Sequence, residues 1–85
     1  MSRSVQLTSR AVKDLDGLGR SRPAFTQKVI AKIESLSDDP TAGKPLVGPL
    51  KGIWSLRVGE YRILYQADSK RVTVLTINHW NEAYR

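Results

Sequence analysis

The spacing of apolar and polar residues first predicts a strand that leads into a helix. Residues 4–8 alternate polar and apolar side chains, as a half-buried strand does, and the Thr8-Ser9 pair offers hydroxyl groups that can cap a helix. Apolar residues then recur at helical spacing over about three turns, and Gly19 can supply the left-handed residue that closes this helix. A strand and a short helix are therefore expected at the start of the chain.

A second helix and a long loop are predicted next. Pro23 suits the first turn of a helix whose apolar stripe runs from Ala24 to about Ser37, so this helix is expected to be the longer and better formed of the two. Residues 38–49 contain three prolines and two glycines. Because these residues interrupt helices and central strands, the segment is predicted to be a loop that crosses from the helices to a sheet.

Three β-type runs complete the pattern, at residues 53–58, 61–66 and 72–77. The Gly59-Glu60 pair predicts a tight hairpin between the first two runs, and the three together predict an antiparallel β-meander. The sequence thus predicts one α+β domain over residues 1–85, with an N-terminal strand, a two-helix hairpin and the meander. The helices are expected on one face of the sheet, and the other face should be at least partly open.

The charge of the chain favours anionic partners. Its 85 residues include 14 lysines and arginines against eight acidic residues, a net charge of +6, which attracts polyanions such as nucleic acids. With no cysteine and a single histidine, neither a metal site nor another cofactor is expected. The N-terminus lacks the apolar core of a secretory signal and no apolar run is long enough to cross a bilayer, so we expect a cytoplasmic protein without a membrane partner.

Cations are interleaved with apolar residues in the predicted hairpin. Alternation along the strand turns Arg57 away from the Trp54 row, and a tight hairpin could bring it near Arg62, although the sequence leaves their exact pairing open. With Lys51 at the edge and Lys44 in the preceding loop, such a surface could hold a phosphate through bidentate guanidinium contacts. The alternative interpretation is that these cations are only solvated, which is the usual case for exposed charge.

The C-terminal segment is the second place with candidate chemistry. His79 supplies an imidazole, Trp80 a large aromatic ring and Tyr84 a phenol, all just after the last predicted strand. An imidazole titrates near neutral pH and can act as an acid or a base. A single histidine or aromatic residue is nevertheless more often structural, and the residues alone leave both interpretations open.

Three motifs span almost the whole chain. They are T-x-x-A-x-x-D-L at residues 8–15, P-L-x-G-x-L-K-G-x-W-x-L-R-V-G-x-Y-R-x-L-Y at residues 45–65, and H-x-x-E-x-Y at residues 79–84. Together they resemble the RelE/ParE superfamily of bacterial and archaeal toxins. The resemblance implies a compact sheet with two N-terminal helices, and an antitoxin protein that wraps the toxin and neutralises it.

The resemblance also implies roles for individual residues. In RelE-like members, which cut messenger RNA in the ribosomal A site without a metal, the arginine that matches Arg62 contacts the scissile phosphate. Arg57 matches a second cation of that site, and Tyr84 matches a C-terminal tyrosine implicated in activity. Catalytic roles are therefore predicted for Arg62, Arg57, Tyr84 and His79, and RNA-binding roles for Lys51, Lys44 and Trp80, with Trp80 available to stack on a base.

Two departures from the pattern keep other functions open. Ser55 stands where RelE-type enzymes can carry a lysine, and Trp80 or Asn78 stands where an arginine is common. ParE-like members inhibit DNA gyrase instead, and a third alternative is an inactive toxin-fold protein that only binds an antitoxin. The first hypothesis is a type II toxin that cleaves messenger RNA on the ribosome without a metal. Its expected partners are the ribosome, the messenger RNA and an acidic, RelB-like antitoxin, in a complex compatible with a heterotetramer.

Overall fold

Two helices pack on one face of a five-stranded sheet. The computed structural model describes residues 3–79. Its elements, in chain order, are β1 (Ser4–Leu7), α1 (Ser9–Ser21), α2 (Pro23–Ser35), β2 (Lys44–Pro45), a 3-10 helix (Gly48–Leu50), β3 (Trp54–Val58), β4 (Tyr61–Ala67) and β5 (Arg71–His79). The predicted α+β class, with the helices on one sheet face, is confirmed.

The strand order in the sheet is β1-β5-β4-β3-β2. Strands β3, β4 and β5 form the predicted antiparallel meander, and β2 adds a short antiparallel edge beside β3. Strand β1 pairs with β5 in parallel, with Val5 opposite Val72. The first and last described strands therefore lie side by side, with β1 at one edge of the sheet.

Apolar residues on the helix side of the sheet form the core with the inner faces of both helices. The buried apolar residues of this cluster are Ala11, Leu18, Val29, Ile33, Leu36, Val58, Ile63, Tyr65, Val72, Val74 and Ile77. They follow the helical period in α1 and α2 and the period of two in the strands. Each large apolar side chain buried in this way stabilises the fold by about 1.5–3 kcal/mol.

Local capping explains where α1 begins, and the helix continues further than expected. The hydroxyl oxygen of Thr8 accepts a hydrogen bond from the Ala11 N–H at 3.1 Å, as the predicted cap requires. The predicted closure at Gly19 is wrong, because α1 runs to Ser21 and the Arg22 N–H still donates to a carbonyl of the preceding turn. Gly19 also lacks the positive φ of a left-handed cap.

The second helix is not the longer one, since both helices span 13 residues. Pro23 occupies the first turn of α2, as predicted. The helix ends at Ser35, and the chain turns so that Leu36 becomes fully buried in the core. Within residues 3–79, neither helix is long and apolar enough to cross a membrane.

Asp14 of α1 holds the exposed edge of β5. Strand β1 covers β5 only as far as the Leu7–Val74 pair, so the N–H of Ile77 lies at an edge. One carboxylate oxygen of Asp14 accepts from the Ile77 N–H at 3.1 Å and from the Thr76 hydroxyl at 2.6 Å. Asp14 thus replaces the missing neighbour strand and fixes the end of β5 beside α1.

The segment 38–49, predicted to be a loop, contains the edge strand β2 and the start of the 3-10 helix. Proline is tolerated in β2 because an edge strand needs fewer ladder hydrogen bonds. The fully buried Tyr65 anchors the segment, since its hydroxyl donates to the Pro40 carbonyl at 2.7 Å and accepts from the Gly43 N–H at 3.1 Å. Burial away from water raises the pKa of the Tyr65 phenol, because it disfavours the charged form.

The variant Tyr65→Phe should lower the free energy of unfolding by about 1–3 kcal/mol, because two loop backbone groups would lose their partner. A phenol whose folded-state pKa is raised stabilises the fold below the unfolded pKa, about 10, and loses that contribution as the pH rises through the folded-state pKa. Urea unfolding of both proteins across this range measures the difference. The gap should be constant below about pH 10 and shrink above it; a gap that stays constant there would contradict the assigned cause.

Candidate functional site

The β3–β4 hairpin places two arginines directly opposite each other. The two-residue turn requires a left-handed residue, and Gly59 supplies it with φ of 57°. The register then pairs Arg57 with Arg62. Because Val58 and Ile63, the next residue along each strand, are buried in the core, both arginines lie on the face away from the helices.

A cleft of about 490 Å³ lies beside these arginines, between the sheet and the segment that carries β2. Its lining residues are Ala42, Gly43, Lys44, Pro45, Leu46, Ser55, Leu56, Arg57 and Arg62. Lys44 of β2 stands opposite Ser55 of β3, so a third cation joins the two arginines. We call this surface, with Lys44, Arg57 and Arg62, the cationic cleft.

The cationic cleft is suited to holding an anion. The exposed Arg57 donates from Nε to the Gly59 carbonyl at 3.0 Å, which orients its guanidinium group. Arg62 is half-buried, and Ser55 is only 7% exposed, so the ligand-facing surface is partly shielded from water. Guanidinium groups in such a setting form strong, charge-assisted hydrogen bonds to phosphate oxygens. Among the described residues that line it, no carboxylate or imidazole is present.

The structure does not bring His79 together with the arginines. His79 stands opposite Tyr61 in the β4–β5 register, and the two rings meet edge to face with centroids 5.5 Å apart. Tyr61 in turn packs against Phe25 of α2, at 5.4 Å between centroids, so this pair lies on the helix side of the sheet. The imidazole Nε2 is 3.7 Å from a carboxylate oxygen of Glu60 and lines a separate cleft of about 640 Å³ beside α1.

The remaining predicted site residues lie elsewhere. Lys51 is exposed and precedes β3 by three residues, at the end of the strand opposite to the hairpin turn. Trp80 and Tyr84 fall outside residues 3–79, which the structure describes. Of the seven residues predicted from the sequence, the structure therefore joins Lys44, Arg57 and Arg62 in one site.

Sequence reasoning missed the position of Asn78 beside the arginine pair. The β4–β5 register sets Asn78 directly opposite Arg62, and the Thr76 hydroxyl lies 3.2 Å from the Asn78 amide oxygen. The predicted strand ended at Ile77, one residue too early. A β-bulge shifts the β4–β5 register between Leu64 and Tyr65 and changes the alternation of side chains along β5. The sequence therefore carries no local signal for the pairing of Asn78 with Arg62.

Fold and site together define a small α+β protein with a cationic cleft on the sheet face away from its helices. Residues 5–84 match the family described as "ParE toxin of type II toxin-antitoxin system, parDE". The chain therefore belongs to the RelE/ParE superfamily of toxins of type II toxin–antitoxin systems, and the superfamily indicated by the sequence motifs is confirmed.

Two toxins of Mycobacterium tuberculosis are similar to this chain in sequence. Toxin RelG is 36% identical over 89 residues, which cover 100% of this chain and 99% of RelG. Toxin RelE is 32% identical over 84 residues, which cover 95% of this chain and 84% of RelE.

Solved structures show the same fold. A chain in the crystal structure of the toxin–antitoxin complex RelBE2 from Mycobacterium tuberculosis superposes with a TM-score of 0.83 at 34% identity, covering 93% of this chain and 99% of that one. YafQ from E. coli gives a TM-score of 0.79 at 16% identity, covering 98% and 99%. The YoeB/ParE toxin from Agrobacterium tumefaciens gives 0.78 at 24% identity, covering 89% and 96%. At these lower identities, YafQ and YoeB/ParE show a shared fold alone.

The variant Arg57→Gln should raise the free energy of unfolding at low salt by about 0.2–1 kcal/mol, because like charges directly opposite each other destabilise a sheet. The gain should fade in about 1 M salt, which screens the repulsion. Urea unfolding at both salt concentrations measures it. The control is Lys28→Gln on the exposed side of α2, which removes one positive charge but leaves the repulsion between Arg57 and Arg62 in place. Equal changes in the free energy of unfolding for both variants would contradict repulsion within this pair as the cause.

The variant Gly43→Ala should destabilise the fold by about 1–3 kcal/mol and displace the β2 segment that borders the cationic cleft. A Cβ at position 43 would stand 2.7 Å from the Ser55 carbonyl oxygen and 2.9 Å from the Tyr65 hydroxyl. Thermal unfolding measures the loss. Gly17→Ala is the matched control, because its Cβ would meet no atom within 4 Å, and it should stabilise α1 by about 0.5–1 kcal/mol. Equal behaviour of the two variants would argue against the close contact.

Proposed function

We propose that this type II toxin is a ribosome-dependent, metal-independent endonuclease that cleaves messenger RNA and thereby stops translation. The observation that carries the proposal is the cationic cleft, in which Lys44, Arg57 and Arg62 converge beside a partly shielded surface. Three cations at the border of one cleft match the needs of a phosphodiester whose negative charge increases during reaction.

In the proposed reaction, the ribose 2′-oxygen attacks the neighbouring phosphorus and gives its proton to a base. The phosphorane that forms carries extra negative charge, which Arg57 and Arg62 stabilise, while Lys44 holds the RNA backbone. The bond from phosphorus to the 5′-oxygen then breaks, and this oxygen takes a proton from an acid. The cations lower the barrier because they are held in place before the charge develops.

The groups that move protons come from the end of the chain in this proposal. The described lining of the cationic cleft offers no carboxylate or imidazole, whereas β5 places Asn78 opposite Arg62 shortly before the tail begins. We assign proton transfer first to Tyr84 and base stacking to Trp80. His79 faces the helix side, where its ring meets Tyr61, and would reach RNA only from around the hairpin end, so we assign it proton transfer second, after Tyr84.

An acidic, RelB-like antitoxin is the proposed neutralising partner, with the ribosome and messenger RNA as targets in the cytoplasm. The structures with the same fold include toxin–antitoxin complexes, namely RelBE2, YoeB-YefM and DinJ-YafQ. A net charge of +6 attracts an acidic polypeptide as it attracts RNA, so both would compete for the same cations. Exposed Val47, near the cleft border, adds apolar surface that a partner could cover, in a complex compatible with a heterotetramer.

Inhibition of DNA gyrase is the second candidate function. Two observations favour it: the matching family description names the ParE toxin, and the described lining of the cleft holds cations without a proton acceptor. Such a surface could bind a protein or a nucleic acid without catalysing a reaction. Under this alternative, growth arrest would come with gyrase-cleaved DNA and intact messenger RNA.

The variants Arg62→Ala and Arg57→Ala should each lower the rate of RNA cleavage about 10²–10³-fold, the usual loss when one group that stabilises the transition-state charge is removed. The measurement is brief expression without antitoxin, followed by mapping of messenger RNA 5′ ends on ribosomes. New ends at A-site codons should appear with the wild type and vanish with both variants.

The matched control is Arg20→Ala, which removes an exposed arginine of α1 that is paired with Asp16 and lies away from the cleft. It should leave cleavage unchanged. Circular dichroism of each purified variant confirms that the fold is intact. Growth arrest with intact transcripts would reject the nuclease and favour gyrase, and cleavage that survives Arg62→Ala would remove that residue from the mechanism.

A further inference from the structure

A second cationic region lies on the same sheet face as the cationic cleft, at the other end of the strands. A cleft of about 270 Å³ there is lined by Gly52, Gln66, Ala67, Asp68, Arg71 and Thr73. Arg71 begins β5 and is exposed, and the exposed Lys51 directly precedes Gly52. We call Arg71 and Lys51 the distal cations. Neither the comparisons nor the proposed reaction assigns Arg71 or this cleft a role, whereas the family resemblance implies RNA binding for Lys51 alone.

The register sets the distance between the two cationic regions. Arg62 pairs with Asn78, and the β4–β5 ladder continues through the Gln66–Thr73 pair to the turn before Arg71. Six strand positions, at about 3.4 Å each, separate the row of Arg62 from the row of Arg71, which gives about 20 Å. A strand stacked as in duplex DNA advances about 3.4 Å per nucleotide, so a strand bound in this stacked form covers the distance with about six nucleotides.

Polar side chains line the distal part of the surface between the two regions, whereas Leu64, which is 6% exposed, lies on the open face in its middle. Gln66 and Thr73 stand opposite each other on the open face, and Gln6 of β1 pairs with Thr73. Amide and hydroxyl groups of this kind can donate to and accept from bases and sugars. These polar groups lie beside the distal cations, so this end of the face offers a nucleic acid hydrogen bonds to bases and sugars as well as to phosphate.

One carboxylate lies in the distal cleft, but it is turned toward the backbone. An oxygen of Asp68 accepts from the N–H groups of Lys70 and Arg71, both at 2.8 Å. These hydrogen bonds lower the pKa of Asp68 and fix its carboxylate within the turn. Arg3, whose Nε donates to the Asp68 carbonyl at 2.7 Å, adds a further cation, so positive charge predominates here.

We infer that the open sheet face is a track for single-stranded RNA, on which Arg71 and Lys51 hold a phosphate about six nucleotides from the phosphate bound by Arg57 and Arg62. This inference rests on the proposed function and adds the length and path of the substrate. It also gives Lys51 a place, because the structure puts this residue near the distal cleft and away from the cationic cleft. The distal cations strengthen binding without taking part in chemistry.

The test uses deoxythymidine oligomers of three and about ten nucleotides, which span less and more than the track. They lack the 2′-hydroxyl that the proposed cleavage needs, so binding is measured alone, by fluorescence anisotropy at several salt concentrations. The double variant Lys51→Gln and Arg71→Gln should weaken binding of the long oligomer about tenfold and reduce its salt slope by about 0.7, the share of the one phosphate that the distal cations hold. Binding of the short oligomer should not change.

The control is the double variant Lys28→Gln and Lys32→Gln, which removes the same charge from the exposed side of α2. It should leave both oligomers bound as by the wild type. Equal losses in the two double variants would reduce the effect to net charge and overturn the track. An unchanged affinity for the long oligomer with the distal variant would also overturn it.

Three further outcomes show whether the RNA track or the proposed nuclease function is wrong. An acidic peptide of eight glutamates whose binding depends on the distal cations, while the long oligomer's binding does not, would reassign the region to a polypeptide partner. If Arg62→Ala abolishes cleavage but the distal variant binds the long oligomer normally, only the track fails. If Arg62→Ala leaves cleavage intact while the distal variant weakens binding to the long oligomer, the track stands and the proposed catalytic role of Arg62 fails.

Discussion

The register of the β3–β4 hairpin is the constraint on which both the core and the cationic cleft depend. It pairs Leu56 with Ile63 toward the helices and Arg57 with Arg62 toward the open face. Because side chains alternate with every residue, a slip of one position would bring a guanidinium group into the core and apolar side chains to the surface. The positive φ of Gly59 fixes one end of this register, and the buried apolar pairs make any other register costly.

This register stabilises the fold through the apolar pairs on the helix side and destabilises it through the like charges on the open face. Two guanidinium groups directly opposite each other repel, and Lys44 adds a third cation to the same cleft. A bound anion would relieve that repulsion, so a ligand of the folded state should stabilise it by mass action. RNA and an acidic antitoxin offer the same relief, which gives a physical reason for their competition in the proposed function.

The two sides of the sheet carry different chemistry. On the helix side, Arg22 lies over the Phe25 ring at 4.3 Å and reaches Glu60 at 3.7 Å, and His79 approaches the same carboxylate. This cluster ties α2 to the hairpin turn and explains the place of His79 in structural terms. The open side carries the cationic cleft, and Asp14 fixes the end of β5, on which Asn78 stands opposite Arg62.

Patterns along the chain predict the α+β class, the order of the main elements and a tight hairpin that could bring Arg57 near Arg62, because strand alternation, helical spacing and the glycine of a tight turn act over a few residues. The tertiary structure fixes the exact pairing of Arg57 with Arg62, the parallel pairing of β1 with β5, the edge strand β2 and the extension of α1 beyond Gly19. It also separated His79 and Lys51 from the arginines. These features depend on a β-bulge, on strand partners distant in the chain and on which sheet edge remains free, and no local pattern encodes them.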